Sequence, residues 1–192
     1  MSELWLIRHG ETEWSKSGQH TGATDIALTP SGEEQALALG RFLAGRPFSR
    51  VFVSPLVRAR RTCELAGFGD RAEVDADLHE WKYGEYEGRT SFDIRQERPG
   101  WSIWRDGVVG GESIEEVAAR ARAVVERAAA LEGNVALFAH GHLLRVLATC
   151  WLDLHPSAAR QFLLDTATVS VLDHEQASRA IRLWNWSAKA RP

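Results

Sequence analysis

Three short apolar runs constrain this chain more than any other feature: Leu4-Trp-Leu-Ile7, Val51-Phe-Val53 and Val135-Ala-Leu-Phe138. Each is three or four residues long and apolar at every position, so it reads as a strand buried on both faces between two layers of helix. A helical pattern follows each run. Thr29-Pro30 opens the first, because threonine caps and a proline at the first helical position gives up no needed donor; it runs to about Ala44, with Gly45 as its stop. Ser54-Pro55 precedes a helix carrying Arg58, Ala59, Thr62 and Leu65. Ser113-Ile-Glu-Glu116 has capping-box spacing, and Val117, Ala121, Val124, Val125, Ala128 and Leu131 recur behind it at helical intervals before Gly133. Another apolar helix follows Ala139-His-Gly-His142, and Val169-Ser-Val-Leu172 and Ala180-Ile-Arg-Leu-Trp184 read as closing strands. A stretch from about 74 to 111, rich in aromatics, reads as irregular. Strands alternating with helices, undivided by repeat or linker, predict one domain over residues 1–192: a three-layer α/β/α sandwich with a mostly parallel central sheet.

The residues that end the apolar runs carry the chemistry. Two runs finish in Arg8-His9-Gly10 and Ala139-His140-Gly141, and the third leads through Ser54 to Arg58. Ligand sites of open α/β sheets lie at the carboxyl ends of strands. A guanidinium beside an imidazole at that edge points to an oxyanion held while the ring attacks or shuttles a proton. Of the 23 Lys and Arg residues only Lys16, Lys82 and Lys189 are lysines, and arginine's planar fork suits phosphate; most of these arginines still read as surface charges. A net charge of -3 provides no basic field for nucleic acid. No apolar stretch reaches membrane-spanning length, and the amino terminus lacks the basic and long apolar segments of a signal peptide. Cys63 and Cys150 read as separate thiols in a reducing compartment, so a cytoplasmic location is expected. No metal is expected: His140-Gly-His142 has no carboxylate or thiol at ligand spacing, and Tyr83 stands where His79-Glu80 would need a second histidine. There is no Walker A loop and no G-x-G-x-x-G, so no nucleotide cofactor is expected either. His20, His79, His155 and His174 read as ordinary histidines.

Taken in order, the motifs are Arg8-His-Gly-Glu-Thr12, Thr21-Gly22, Leu28-Thr29 with Gly32 and Gln35-Ala36, Ser54-Pro-Leu-Val-Arg58 with Thr62, Leu78-His-Glu80 with Glu87-Gly88, Gly111-Glu112-Ser113, and Ala139-His-Gly141. Each alone is common, but the ordered set resembles the histidine phosphatase (phosphoglycerate mutase-like) superfamily along nearly the whole chain. Glu13-Trp-Ser-Lys-Ser-Gly-Gln19, Glu80-Trp-Lys-Tyr-Gly-Glu-Tyr-Glu-Gly88 and Ile103-Trp-Arg-Asp-Gly107 are similar to its sedoheptulose-bisphosphatase and broad-specificity phosphatase branches. The resemblance implies a metal-independent phosphomonoesterase for small phosphorylated metabolites, sugar phosphates or bisphosphates first. His9 would be the nucleophile, Arg8 and Arg58 would clamp the phosphoryl oxygens, and His140 would share the developing charge. Glu80 would protonate the leaving alkoxide and then activate water, which implies an acidic to near-neutral pH optimum. Candidate substrate contacts are Ser15, Thr21, Gly22, Trp81, Tyr83, Trp104, Gly141 and His142. The alternatives are a cofactor-dependent phosphoglycerate mutase and an inactive phospholigand-binding module. Ser15, where mutase relatives usually carry asparagine, and His142, where many relatives carry asparagine or another polar residue, weigh against the mutase more than against the phosphatase. A small phosphorylated substrate is the implied partner, and the superfamily includes homodimers.

Overall fold

The protein is described by a computed structural model covering residues 2–187. Its six strands are β1 (Leu4–Arg8), β2 (Phe48–Val53), β3 (Ala72–Val74), β4 (Asn134–Ala139), β5 (Thr168–Glu175) and β6 (Ser178–Ser187). They form one sheet in the order β3-β2-β4-β1-β5-β6. The first four strands are mutually parallel, whereas β5 runs antiparallel to both β1 and β6. The helices are α1 (Glu13–Ser17), α2 (Pro30–Leu43), α3 (Val57–Leu65), α4 (Ser91–Glu97), α5 (Ile103–Asp106), α6 (Ile114–Ala129) and α7 (Gly141–Trp151).

Successive side chains of a strand point to opposite faces, so two cores form. On one face Leu4, Leu6, Val135 and Leu137 pack with Val117 and Val124 of α6 and Leu144 and Leu147 of α7. On the other, Trp5, Ile7, Ala136 and Phe138 meet Leu39 and Leu43 of α2 and Ala59 and Cys63 of α3. The result is the three-layer α/β/α arrangement with a mostly parallel sheet. Register then positions the site. Ile7 and Val53 both stand opposite Phe138, so β1, β2 and β4 end side by side. His9 N–H donates to Ala139 O at 3.1 Å and Ser54 N–H to Phe138 O at 3.0 Å, which carries the pairing one step past the strands.

The helix starts follow local chemistry. Thr29 caps α2 by accepting from Gly32 N–H at 3.0 Å, and Ser113 and Glu116 complete the expected capping box on α6. Four elements differ from the sequence reading. β2 begins three residues earlier, at Phe48 rather than Val51. β3 pairs with β2 although its only large apolar side chain, Val74, is exposed. The short α1 buries no side chain and is held by a capping box, Thr12 with Ser15, whereas α4 combines a capping box, Thr90 with Asp93, with one apolar anchor, Ile94. Within the 74–111 stretch that reads as irregular, single turns alternate with the short helices α4 and α5. Among the described residues no helix is long and apolar enough to cross a membrane.

Candidate active site

His9 leaves the end of β1 buried, at 5% exposure, and one hydrogen bond sets its tautomer. Its Nδ1 lies 2.7 Å from Gly10 O, and a carbonyl can only accept, so Nδ1 carries the proton. Nε2 is left with a free lone pair. Burial, then the Arg58 and Arg8 guanidiniums, hold its imidazolium form well below the usual histidine range, so the ring is neutral. The loop behind it is tied down: Gly10 N–H donates to Thr62 Oγ1 at 3.0 Å, and Thr29 N–H to Glu11 O at 2.9 Å. A Cβ on Gly10 would come within 2.4 Å of Gly32 O, so the close approach of this loop to α2 requires glycine.

Arg8, the last residue of β1, lines the same cavity. It donates from Nη1 to Leu164 O, while its Nε is buried without a hydrogen-bond partner. Burial lowers its pKa against the opposing pull of Glu80. Gly141 packs on it: a Cβ there would sit 3.2 Å from Arg8 Cζ and Nε.

Arg58, the second residue of α3, is fully buried, and most of its donors are spent within the protein. Nη1 donates to Thr24 O at 3.0 Å, and Nη2 to Thr21 O and Gly22 O at 3.0 and 2.9 Å. Nε donates to His140 Nδ1 at 3.2 Å. A guanidinium has five N–H groups, so four of the five are committed to these acceptors. Because His140 Nδ1 accepts, its Nε2 carries the proton, directed to Ser54 Oγ at 2.7 Å. Both nitrogens of His140 are thus engaged, and its ring centroid stands 5.2 Å from that of His9. Burial and then Arg58 keep His140 neutral, well below the ordinary pKa. The 21–24 loop that receives Arg58 is pinned by Glu87 Oε1, which accepts from Gly22 N–H at 2.8 Å and Thr24 N–H at 3.0 Å.

Glu80 is 5% exposed and lines the cavity with His9 and Arg8. Oε1 accepts two amides at 2.9 Å, from Trp81 and Leu143, whereas Oε2 accepts one, from His142 at 2.9 Å. Two of these amides belong to the first turn of α7, where an anion satisfies orphan donors and complements the helix dipole. Oε2 keeps a free lone pair. Arg120 steadies this segment, donating to Asp77 O and His79 O at 2.8 and 2.7 Å while paired with Glu112.

The cavity measures about 240 Å³. Of the residues expected from sequence, Arg8, His9, Ser15, Thr21, Glu80, Tyr83, Gly141 and His142 line it. Arg58 and His140 stand behind its wall. Ser15 spends its hydroxyl proton on Thr12 O at 2.9 Å to cap α1, so that proton is not offered to the cavity. Gly22 lies outside the lining and serves the Arg58 loop. Trp81 is fully buried and donates to Glu112 O, so it is core rather than wall. Trp104 also lies outside the lining; it packs edge-on against His142 at 4.9 Å with the Arg145 guanidinium 4.5 Å from its ring centre. Tyr83 Oη and His142 Nδ1 are 2.5 Å apart, and His142, like His9, is kept neutral chiefly by burial. The sequence reading missed Gly18, Gln19, His20, Ser91, Arg145 and Leu164 as lining residues. A signal existed for Arg145: it follows His142 by three positions, which puts both on one face of α7. Among the described residues no group of three or more His, Cys, Asp or Glu side chains could hold a metal ion.

Residues 4–187 match the family model of the histidine phosphatase superfamily (branch 1). The chain is 41% identical over 182 residues to sedoheptulose 1,7-bisphosphatase of Saccharomyces cerevisiae, covering 78% of this chain and 67% of that one. It is 36% identical to an acid phosphatase of Mycobacterium tuberculosis, over 98% of this chain and 95% of the relative. Among solved structures, the product of open reading frame Rv3214 of Mycobacterium tuberculosis superposes with a TM-score of 0.93 at 34% identity, covering 98% of this chain and 99% of that one. A mycobacterial glucosyl-3-phosphoglycerate phosphatase in complex with VO3 superposes with a TM-score of 0.88 at 29% identity, over 97% and 100% of the two chains. The chain belongs to branch 1 of the histidine phosphatase superfamily.

Proposed function

We propose that this protein is a cytoplasmic, metal-independent phosphomonoesterase that hydrolyses small phosphorylated metabolites, sugar phosphates or bisphosphates, through phospho-His9. The observation that carries the reading is the tautomer of His9: with Nδ1–H committed to Gly10 O, the lone pair of the neutral ring is on Nε2, and His9 lines the cavity together with Arg8 and Glu80. In the first step Nε2 attacks phosphorus and the P–O ester bond breaks. The leaving alkoxide takes the proton from Glu80 Oε2, and the ring carries the phosphoryl group. In the second step water attacks phosphorus, Glu80 accepts its proton, and the P–N bond breaks to release phosphate and restore neutral His9. Phosphoryl transfer asks chiefly for positioning and charge stabilisation. Arg8, which lines the cavity, supplies that charge directly, and Arg58, buried behind its wall, adds a fixed positive charge close by. His140 is a positioning residue here, because its two nitrogens orient Arg58 and Ser54. The sugar-phosphate class is supported by the names of the relatives, which include a sedoheptulose bisphosphatase and a glucosyl-3-phosphoglycerate phosphatase.

Phosphate release from a panel of sugar phosphates, phosphoglycerates and p-nitrophenyl phosphate in EDTA tests the reading. Wild type is expected to release phosphate undiminished by the chelator, and His9→Ala to release none. Isomerisation of 3-phosphoglycerate without release would identify a mutase instead. Binding without turnover would identify a ligand-binding module.

A further inference from the structure

We propose that His20 is a specificity-determining residue that reads a hydroxyl of the leaving group, fitting the site to phosphate esters of polyhydroxylated compounds. This rests on the phosphatase reading above and adds to it a residue that none of the motifs assigns.

His20 lies in the loop after α1, lines the cavity, and is 8% exposed. It is rigidly placed. Its N–H donates to Arg89 O at 2.9 Å, its carbonyl accepts from Gly88 N–H at 2.8 Å, and the adjacent Gln19 forms a β-bridge with Thr90. The ring packs on Tyr83 with centroids 4.9 Å apart and meets Trp101 edge-on at 5.8 Å. Nε2 lies 3.3 Å from Ser91 Oγ, whereas Nδ1 has no partner among the described residues.

A serine hydroxyl either donates or accepts, so Ser91 supports both tautomers of the ring. When Ser91 donates to Nε2, Nδ1 presents an N–H; when Ser91 accepts, Nδ1 presents a lone pair. A sugar hydroxyl, which also donates and accepts, matches either state. An anionic group matches only the first and is best held by imidazolium. That form is disfavoured here, since burial lowers the pKa of His20 to about 4, with Arg95 acting in the same direction against Glu87.

The experiment compares wild type with His20→Phe, His20→Asn and His20→Gln on fructose 1,6-bisphosphate and on p-nitrophenyl phosphate, whose leaving group carries no second hydroxyl. Thermal unfolding serves as a folding control. Loss of one neutral hydrogen bond predicts that His20→Phe lowers kcat/KM on the sugar ester about 5- to 10-fold, mainly through KM, and changes the aryl ester less than about twofold. Asparagine keeps a polar atom near the Nδ1 position and is expected to recover most of the sugar activity; glutamine reaches the Nε2 position and is not. Equal losses on both esters, no loss on the sugar, or equal recovery by both amides would overturn the proposal. Absence of turnover by wild type on every ester would instead refute the phosphatase reading itself.

Discussion

Arg58→Lys preserves the positive charge behind the site but not the planar fork, and its consequences can be worked from the hydrogen bonds. The guanidinium serves four buried acceptors: Thr21 O, Gly22 O, Thr24 O and His140 Nδ1. An ammonium has three donors at a single point and cannot span acceptors that the fork reaches from three nitrogens. One or two acceptors are therefore left unpaired, each costing about 1–3 kcal/mol, so a loss of about 2–4 kcal/mol is expected. For a chain of this size that corresponds to a fall in Tm of roughly 5–15 °C. Activity falls in parallel, because the untethered His140 ring stands beside His9 and Thr21 of the freed loop lines the same cavity; a drop in kcat/KM of about 100-fold or more is expected, as for other misplacements near a reacting centre. Denaturant unfolding and steady-state kinetics on one purified variant measure both quantities. A variant that loses activity while keeping wild-type stability would refute the reasoning, since Arg58 would then act on substrate alone and not as the tie between loop and histidine.

Acid stability follows from the buried neutral rings. The folded pKa of His20, about 4, lies below its unfolded value of 6.5, so the unfolded chain binds more protons as pH falls between those values. The contribution is complete above pH 6.5, is lost by pH 4, and is about 3 kcal/mol for this group; His9, His140 and His142 shift in the same direction. Tm recorded from pH 7 to pH 4 should fall steeply, and His20→Phe should flatten the slope; an unchanged slope would contradict this assignment. Gly22→Ala would drive a Cβ to 2.5 Å from Trp81 O and 2.6 Å from Glu87 Oε2, whereas Gly18→Ala meets nothing within 4 Å and only strains a φ of +79°. The first should cost most of the activity and several °C of Tm, the second about 1 kcal/mol of stability with activity kept; calorimetry and initial rates on the pair decide it.

The elements legible in the sequence are those whose cause is local. Thr29-Pro30 and Ser113 with Glu116 announce α2 and α6 because the capping atoms lie within four residues of each other. The three buried runs announce β1, β2 and β4 because burial on both faces leaves no polar alternation to misread. β3 was not legible, since pairing with β2 rather than side-chain burial makes it a strand. The nucleophile edge could be read from strand ends, but the far wall could not. His20 reaches the cavity only through pairing of residues 19–20 with 88–90, some seventy positions away. The aromatics of the 74–111 stretch divide by the same non-local logic: Tyr83 faces the cavity, while Trp81 and Trp101 are sealed into the core beneath it.

The proposed reaction passes phosphate through Nε2 of His9. Rapid acid-free quenching of wild type with a 32P-labelled substrate, followed by peptide mapping and phosphohistidine isomer analysis, tests it directly. The account predicts a transient, acid-labile label on His9 bonded at Nε2, absent from His9→Ala and cleared at the rate of phosphate release. A label at Nδ1, a label on another residue, or full turnover by His9→Ala would contradict it.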